Sequence, residues 1–262
     1  MLLKDKVVVV SGIGPGLGSE LALEAAQQGA KLAIAARTPE KLDGSEQAIR
    51  DAGLDTPILK QPTDISDASQ CQALIDATVK AYGRVDALIN SAYNPGAFEP
   101  IESANLENWQ AAMDVNLFGT IKLTQAAIPV MKSQGDGAIV MINTMVTRKP
   151  LPTQGGYGAS KAALASATAH LAAELGGYGI RVNSAFMGWM WGPPVEFYME
   201  MMKDQHPDGA AGMKREVEKN IPLGQIPDDA DCAKVAIFLA SDYACAMTGA
   251  QLDVNGGEYM PH

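Results

Sequence analysis

Six short runs of apolar, largely β-branched residues punctuate the chain, at 7–10, 32–36, 85–90, 138–143, 180–184 and 251–254, with longer helical patterns between them. Strands alternating with helices predict a parallel sheet, because a parallel crossover needs a connection about as long as a helix. The runs are apolar almost throughout rather than alternating, as strands covered on both faces must be. The pattern therefore predicts an α/β fold, a doubly wound parallel sheet with helices on both faces. No linker-like stretch, internal repeat or low-complexity tract divides the chain, so residues 1–262 read as a single domain. Only 189–225 breaks the rhythm. It carries Pro193, Pro194, Pro207 and Pro222 and reads as an insertion over a site.

Composition narrows the function. A chain of 262 residues with 47% hydrophobic and 19% charged residues buries enough apolar surface to be ordered. Its net charge of −10 argues against a nucleic-acid partner, since counterion release needs clustered Lys and Arg. Cys71, Cys232 and Cys245 form no CxxC pair, and His170, His206 and His262 are scattered, so no metal site is expected. Lys4, Asp5 and Lys6 stand directly before the first apolar run, and no stretch has membrane-spanning length. A soluble protein of the reducing cytoplasm, without a membrane partner, is expected.

After the first strand comes Ser11-Gly12-Ile13-Gly14-Pro15-Gly16-Leu17-Gly18, followed by a helical pattern over 20–28. A strand, a glycine turn and a helix make phosphate-binding architecture: glycines let the backbone approach a pyrophosphate, and the helix N-terminus offers it free N–H groups. The spacing is GxxxGxG rather than GxGxxG, and taken alone it also fits a glycine-rich turn that binds nothing. At the tip of the second strand, Ala36 is followed by Arg37, 19 residues after Gly18. An acid at this point would bind the ribose of NAD; an arginine accommodates the 2′-phosphate of NADP. NADP is therefore the preferred cofactor, with NAD the alternative if Arg37 is only a solvated loop cation.

Tyr157 and Lys161 stand four apart at the start of a helical pattern and share a face. A nearby ammonium favours a phenolate, which would draw the tyrosine toward acid–base work near neutrality. With GxxxGxG and YxxxK in place, the chain resembles the short-chain dehydrogenase/reductase family over nearly its whole length. Asp64 after a third strand, Asn90-Ser91-Ala92 after a fourth and Asn116 in Val115-Asn116-Leu117 fall in the same order as in that family, and the ending through Asn255-Gly256-Gly257 is also similar. The resemblance implies a Rossmann-like sheet of about seven strands and hydride transfer between a nicotinamide and an alcohol or ketone. It makes Tyr157 the general acid or base, Lys161 its activator and ribose ligand, and Asn116 the residue that shapes the preceding helix and holds a relay water. Asp64 and Ile65 would border the adenine. Asn90, Ser91 and Ala92 would line the cleft, together with Gly12, Pro15, Gly16, Leu17, Gly18, Met187 and Gly188. The family's substrate-orienting serine, thirteen residues before the tyrosine, is here Thr144, with Thr147 as a fallback. A homotetramer or homodimer built partly on the small-residue helix 162–173 is implied as well.

Three further positions depart from the family: Tyr93 replaces a glycine, Met187 the proline of a Pro-Gly pair, and Gly192 a threonine. They keep open a second reading, a dinucleotide-binding sensor with impaired catalysis. Six of the thirteen methionines fall between Met187 and Met213, beside Trp189, Trp191, Phe197 and Tyr198. That soft apolar segment predicts either a lid over a bulky hydrophobic steroid, terpenoid or aromatic alcohol or ketone, or a helix docked on the core. A 3-oxoacyl thioester reductase remains the alternative enzyme. An enoyl reductase fits less well, because its lysine lies farther from the tyrosine.

Overall fold

The protein, seen in a computed structural model, is described over residues 1–261; His262 lies outside the described residues. Seven strands form one sheet: β1 (Val7–Ser11), β2 (Lys31–Ala36), β3 (Ile58–Pro62), β4 (Ala87–Asn90), β5 (Gly137–Thr144), β6 (Ile180–Met187) and β7 (Gln251–Val254). Their order is β3-β2-β1-β4-β5-β6-β7, with every pairing parallel. The helices are α1 (Leu17–Gln27), α2 (Pro39–Asp51), α3 (Ala68–Tyr82), α4 (Leu106–Met113), α5 (Thr120–Gln134), α6 (Gly155–Leu175), α7 (Pro193–Met201), α8 (Gly209–Glu218) and α9 (Asp229–Ala240).

This is the doubly wound sheet that the hydrophobic pattern predicts, with one strand added. β3 reads Ile58-Leu59-Lys60-Gln61-Pro62 and pairs only with β2. An edge strand keeps one side free of ladder bonds and tolerates polar residues and a terminal proline, which hides it from a search for apolar runs. The interior strands feed two cores. Val8 and Val10 of β1 pack with Leu21, Leu42 and Ala236 of α1, α2 and α9; Val9 points the other way, toward Leu74, Leu123 and Leu164 of α3, α5 and α6. The buried Asp86 joins strand starts, accepting from Val7 N at 2.7 Å while paired with Arg84.

Because the strand order reverses between β1 and β4, their following segments leave toward opposite faces and a crevice opens at the carboxyl ends. Over its far wall lies the segment 189–225, whose Met199 and Ile221 make a small core with Ile226 just beyond it, ringed by Trp189, Trp191 and Tyr198. Met199 thus docks its helix, whereas Met190, Pro194 and Val195 face the crevice. Among the described residues, no helix is long and apolar enough to cross a membrane, and no group of three His, Cys, Asp or Glu is placed to hold a metal.

Candidate active site

The loop after β1 is built on contacts that only glycine permits. Gly12 has φ +85°, and a Cβ there would lie 2.2 Å from the Ala92 nitrogen, so the loops after β1 and β4 touch backbone to backbone. A Cβ on Gly18 would lie 2.2 Å from the Gly12 carbonyl oxygen. Gly16, at φ +91°, precedes α1 and supplies no side-chain cap, which leaves the first N–H groups of the helix free at the cleft. Pro15 and Leu17 complete this cradle. The cleft has a volume of about 560 Å³ and runs from Arg37, Thr38 and Lys41 across the glycines to Thr144, Tyr157 and Lys161. Asp64, Ile65, Ser91, Ala92, Met187 and Gly188 line it between these ends. A groove with a glycine cradle and an uncapped helix N-terminus fits a dinucleotide's pyrophosphate.

Tyr157 and Lys161 occupy the first turns of α6. Gly155 and Gly156 let those turns settle on α4, since a Cβ on either would come within 2.9 Å of Trp109. Lys161 is 2% exposed, and its Nζ donates to the Ile142 carbonyl at 2.8 Å. Burial pulls its pKa down to about 8. Burial, and secondarily Tyr93, push the Tyr157 phenol above its ordinary value; a hydrogen bond with Thr144 opposes them. This corrects the expectation from spacing, because desolvation of the phenol outweighs any help from the lysine. Thr144, at the end of β5, accepts from Val146 N at 3.3 Å. The Thr147 hydroxyl instead donates to the Thr144 carbonyl at 2.9 Å, so it is spent on backbone and does not line the cleft. Asn116 lies in a π-helical turn, Asp114–Gly119. Its Oδ1 accepts from Asn94 N at 2.7 Å, and its Nδ2 donates to Asn94 O and Ser160 Oγ. Ser160 Oγ in turn donates to the Tyr157 carbonyl at 2.8 Å. A second cavity of about 130 Å³ opens beyond Thr144 and Tyr157, between Val146, Leu151, Met187 and Trp189.

The family profile described as Enoyl-(Acyl carrier protein) reductase matches residues 12–258. Levodione reductase from Leifsonia aquatica is 31% identical over 254 residues, 97% of this chain and 94% of that protein. The crystal structure of levodione reductase matches with a TM-score of 0.91 at 30% identity, over 98% of both chains. The chain belongs to the short-chain dehydrogenase/reductase family. As such it is an NAD(P)-dependent oxidoreductase of alcohols and ketones. The 3-oxoacyl-[acyl-carrier-protein] reductase FabG of Thermotoga maritima is 31% identical over 260 residues, covering 98% of this chain and 99% of that protein. NAD⁺-bound xylitol dehydrogenase matches with a TM-score of 0.90 at 26% identity, over 98% of this chain and all of that one.

Set against the family pattern, one expected position moves away from the cleft and two departures gain a physical reason. Asn90 is buried and does not line the cleft: its amide donates to Thr124 Oγ1 at 3.2 Å and to Met141 Sδ, toward α5 and β5. Tyr93 is tolerated where the short-chain dehydrogenases carry glycine, because Gly12 supplies the close approach from the other side; the Tyr93 ring stands edge-on to Tyr157 at 6.4 Å. At Gly192 a Cβ would lie 2.1 Å from Asp229 Oδ2, so the family threonine would fit only if that carboxylate turned aside. Lys41 and Asn94 are cleft residues that motif reading missed. A second cation four residues after Arg37 was the available signal for Lys41; Asn94 left none.

Proposed function

We propose that this enzyme reduces a ketone, or oxidises the corresponding secondary alcohol, with NADP preferred over NAD and with a hydrophobic, ring-bearing substrate. The observation that carries this reading is the meeting of Thr144, Tyr157 and Lys161 where the glycine-lined cleft adjoins a small, half-open apolar pocket. When bound, the nicotinamide supplies or accepts the hydride. Thr144 holds the substrate oxygen. Tyr157 gives that oxygen its proton in reduction and takes it back in oxidation. The buried Lys161 ammonium favours the phenolate that forms as the proton leaves. Asn116 and Ser160 fix the backbone of Tyr157.

The cofactor preference rests on two exposed cations, Arg37 and Lys41, which face the cleft at the tip of β2 and form no ion pair among the described residues. Together they suit a 2′-phosphate. Ala36→Asp would set a carboxylate beside that phosphate and offer NAD a ribose acceptor. It is expected to shift the NADPH:NADH ratio of kcat/KM by about 10- to 100-fold toward NADH, the worth of one charge-assisted hydrogen bond. An unchanged ratio would refute the assignment.

The pocket beyond Tyr157 seats one ring at the reacting end, and its open side leaves room for the rest of a larger apolar substrate. Thr144→Val keeps the volume and removes the hydroxyl, and kcat should fall by about 100-fold, as for other single donors at a reacting oxygen. Near wild-type turnover would free Thr144 of this role. The resemblance to FabG favours a thioester substrate as the second reading. Against it, Lys203 and Arg215 are paired with Glu200 and Asp208, leaving little free positive charge near the mouth for a phosphorylated carrier. A screen of NADPH and NADH oxidation against cyclic and aromatic ketones, with a thioester panel alongside, tests both; cofactor binding without turnover on any member would favour the sensor reading.

A further inference from the structure

Asp229, the first residue of α9, lines the cleft but has no part in the catalytic reading. Main-chain bonds fix its place. Its N–H donates to the Trp191 carbonyl at 3.1 Å and Trp191 N donates to Pro227 O at 2.7 Å, a short parallel bridge between the 189–225 segment and the start of α9. Gly192 comes next and, having no side chain, leaves the Asp229 carboxylate the space toward the glycine loop. A Cβ on Gly16 would lie 3.4 Å from Asp229 Oδ2 and 3.1 Å from Pro194 Cδ. The half-buried carboxylate therefore stands over Gly16, at the uncapped N-terminus of α1 that the cleft offers to a pyrophosphate. Its surroundings are acidic: Glu20 faces it from α1 with Glu24 behind, Glu196 from α7, and Asp228 and Asp231 on α9 itself. The cations nearby are engaged elsewhere. Lys234 pairs with Asp231 at 2.6 Å, the Lys214 ammonium lies 3.7 Å over the Trp191 ring, and Lys41 approaches Gly14. Cys232, on the next turn of α9, is a buried thiol. Burial, then Asp228 and Glu196, hold the Asp229 carboxyl above its ordinary value.

We propose that Asp229 holds down the affinity for the dinucleotide, setting a negative charge against the pyrophosphate so that spent cofactor leaves after each turnover. The inference rests on the glycine-lined cleft being the dinucleotide site and is indifferent to the choice between NADP and NAD. Glycine N–H groups and a helix N-terminus attract the phosphates of oxidised and reduced cofactor alike. Binding that tight and that uniform slows release, a step that limits many enzymes. A like charge beside the phosphates weakens both complexes. The sign of the pH dependence follows from the same geometry. Ionised Asp229 opposes the pyrophosphate, and protonation as pH falls through its raised pKa removes the opposition.

The test measures Kd and dissociation rate for NADH and NADPH, by fluorescence titration and stopped-flow displacement, in wild type, Asp229→Asn and Asp228→Asn. Asp229→Asn keeps the shape of the side chain and should bind both cofactors about tenfold more tightly, through slower dissociation, as expected for one like charge partly screened by water. Asp228 is exposed and outside the cleft, so Asp228→Asn should stay within about twofold of wild type. Calorimetric titration with NAD⁺, whose pyrophosphate gains no proton between about pH 5 and 8, reads the titration of the protein. Wild-type affinity should rise as pH is lowered through that range, and that of Asp229→Asn should change less; a packing role would not alter this slope. Thermal unfolding of the cofactor-free chains verifies folding, and Asp229→Ser repeats the test if asparagine is not tolerated. Unchanged Kd in Asp229→Asn, tightening confined to NADPH, or one slope for both proteins overturns the proposal. Weaker binding by the variant also overturns it and would make Asp229 a ligand of the cofactor. A wild type that binds neither NADH nor NADPH would remove the dinucleotide reading of the cleft as well.

Discussion

Phenylalanine at position 157 is expected to lower kcat for ketone reduction by about 1000-fold while leaving cofactor affinity within about threefold. The substitution removes one oxygen and little else. Its ring keeps the edge-on contact with Tyr93, and its carbonyl still accepts from Ser160 Oγ, so α6 stays in place. What disappears is the proton donor at the reacting oxygen, and positioned acid–base groups contribute about 10² to 10⁴ in rate. The pH dependence has a definite sign. Because burial raises the Tyr157 phenol above its ordinary value, the donor stays protonated through neutrality. Wild-type reduction should be flat from pH 6 to about 7 and fall as the Lys161 ammonium, pulled down to about 8, is lost. Steady-state rates in both directions, paired with NADPH fluorescence titration, check this. Turnover by the variant within tenfold of wild type would remove Tyr157 from the chemistry and direct attention to the neighbouring phenol of Tyr93.

What was legible in the sequence were features whose meaning is local. Gly12, Gly16 and Gly18 announce themselves because backbone contacts at 2.2 Å and positive φ values exclude other residues, and Tyr157 and Lys161 because four residues is one helical turn. The interior strands were legible because burial on both faces keeps most of their positions apolar, the polar ones such as Ser11, Asn90 and Thr144 falling mainly toward the carboxyl ends. Features set by tertiary surroundings were hidden. β3 is an edge strand with the composition of a loop. Asn90 stands beside cleft residues in the chain, yet its side chain is turned into the core against Thr124 and Met141. The glycine at 192 acquires a context only once the Asp229 carboxylate, 37 residues away in sequence, is seen beside it. Spacing placed Lys161 beside Tyr157 but was silent on how far burial would move both groups from their ordinary values.

That burial makes Lys161→Met the second large prediction: turnover is expected to fall by about 10²- to 10³-fold while the cofactor-free chain becomes more stable by about 1–3 kcal/mol. Lys161 is 2% exposed, and its pKa is pulled down to about 8 by burial. Against an unfolded value near 10.4, that depression corresponds to about 3 kcal/mol held against the ammonium in the folded state. Below pH 8 the amine is charged in both states and the folded chain carries the whole penalty. Between about pH 8 and 10 the folded state has shed the proton and the unfolded state still binds it, so this contribution to stability improves as pH rises. Methionine has similar length and no charge, so its advantage should be greatest at pH 7 and nearly gone by pH 10. The buried thiols of Cys71 and Cys232, pushed up to about 11 and about 12, act in the opposite sense, since their unfolded forms ionise first. They are common to both proteins and cancel in the difference, which is why urea midpoints of wild type and variant must be compared at each pH. A variant less stable at pH 7, or an advantage indifferent to pH, would show that Lys161 is not a strained charge. A variant both more stable and inactive would mean that the fold carries a buried cation beside Tyr157 at the expense of its own stability, as acid–base work by that phenol requires.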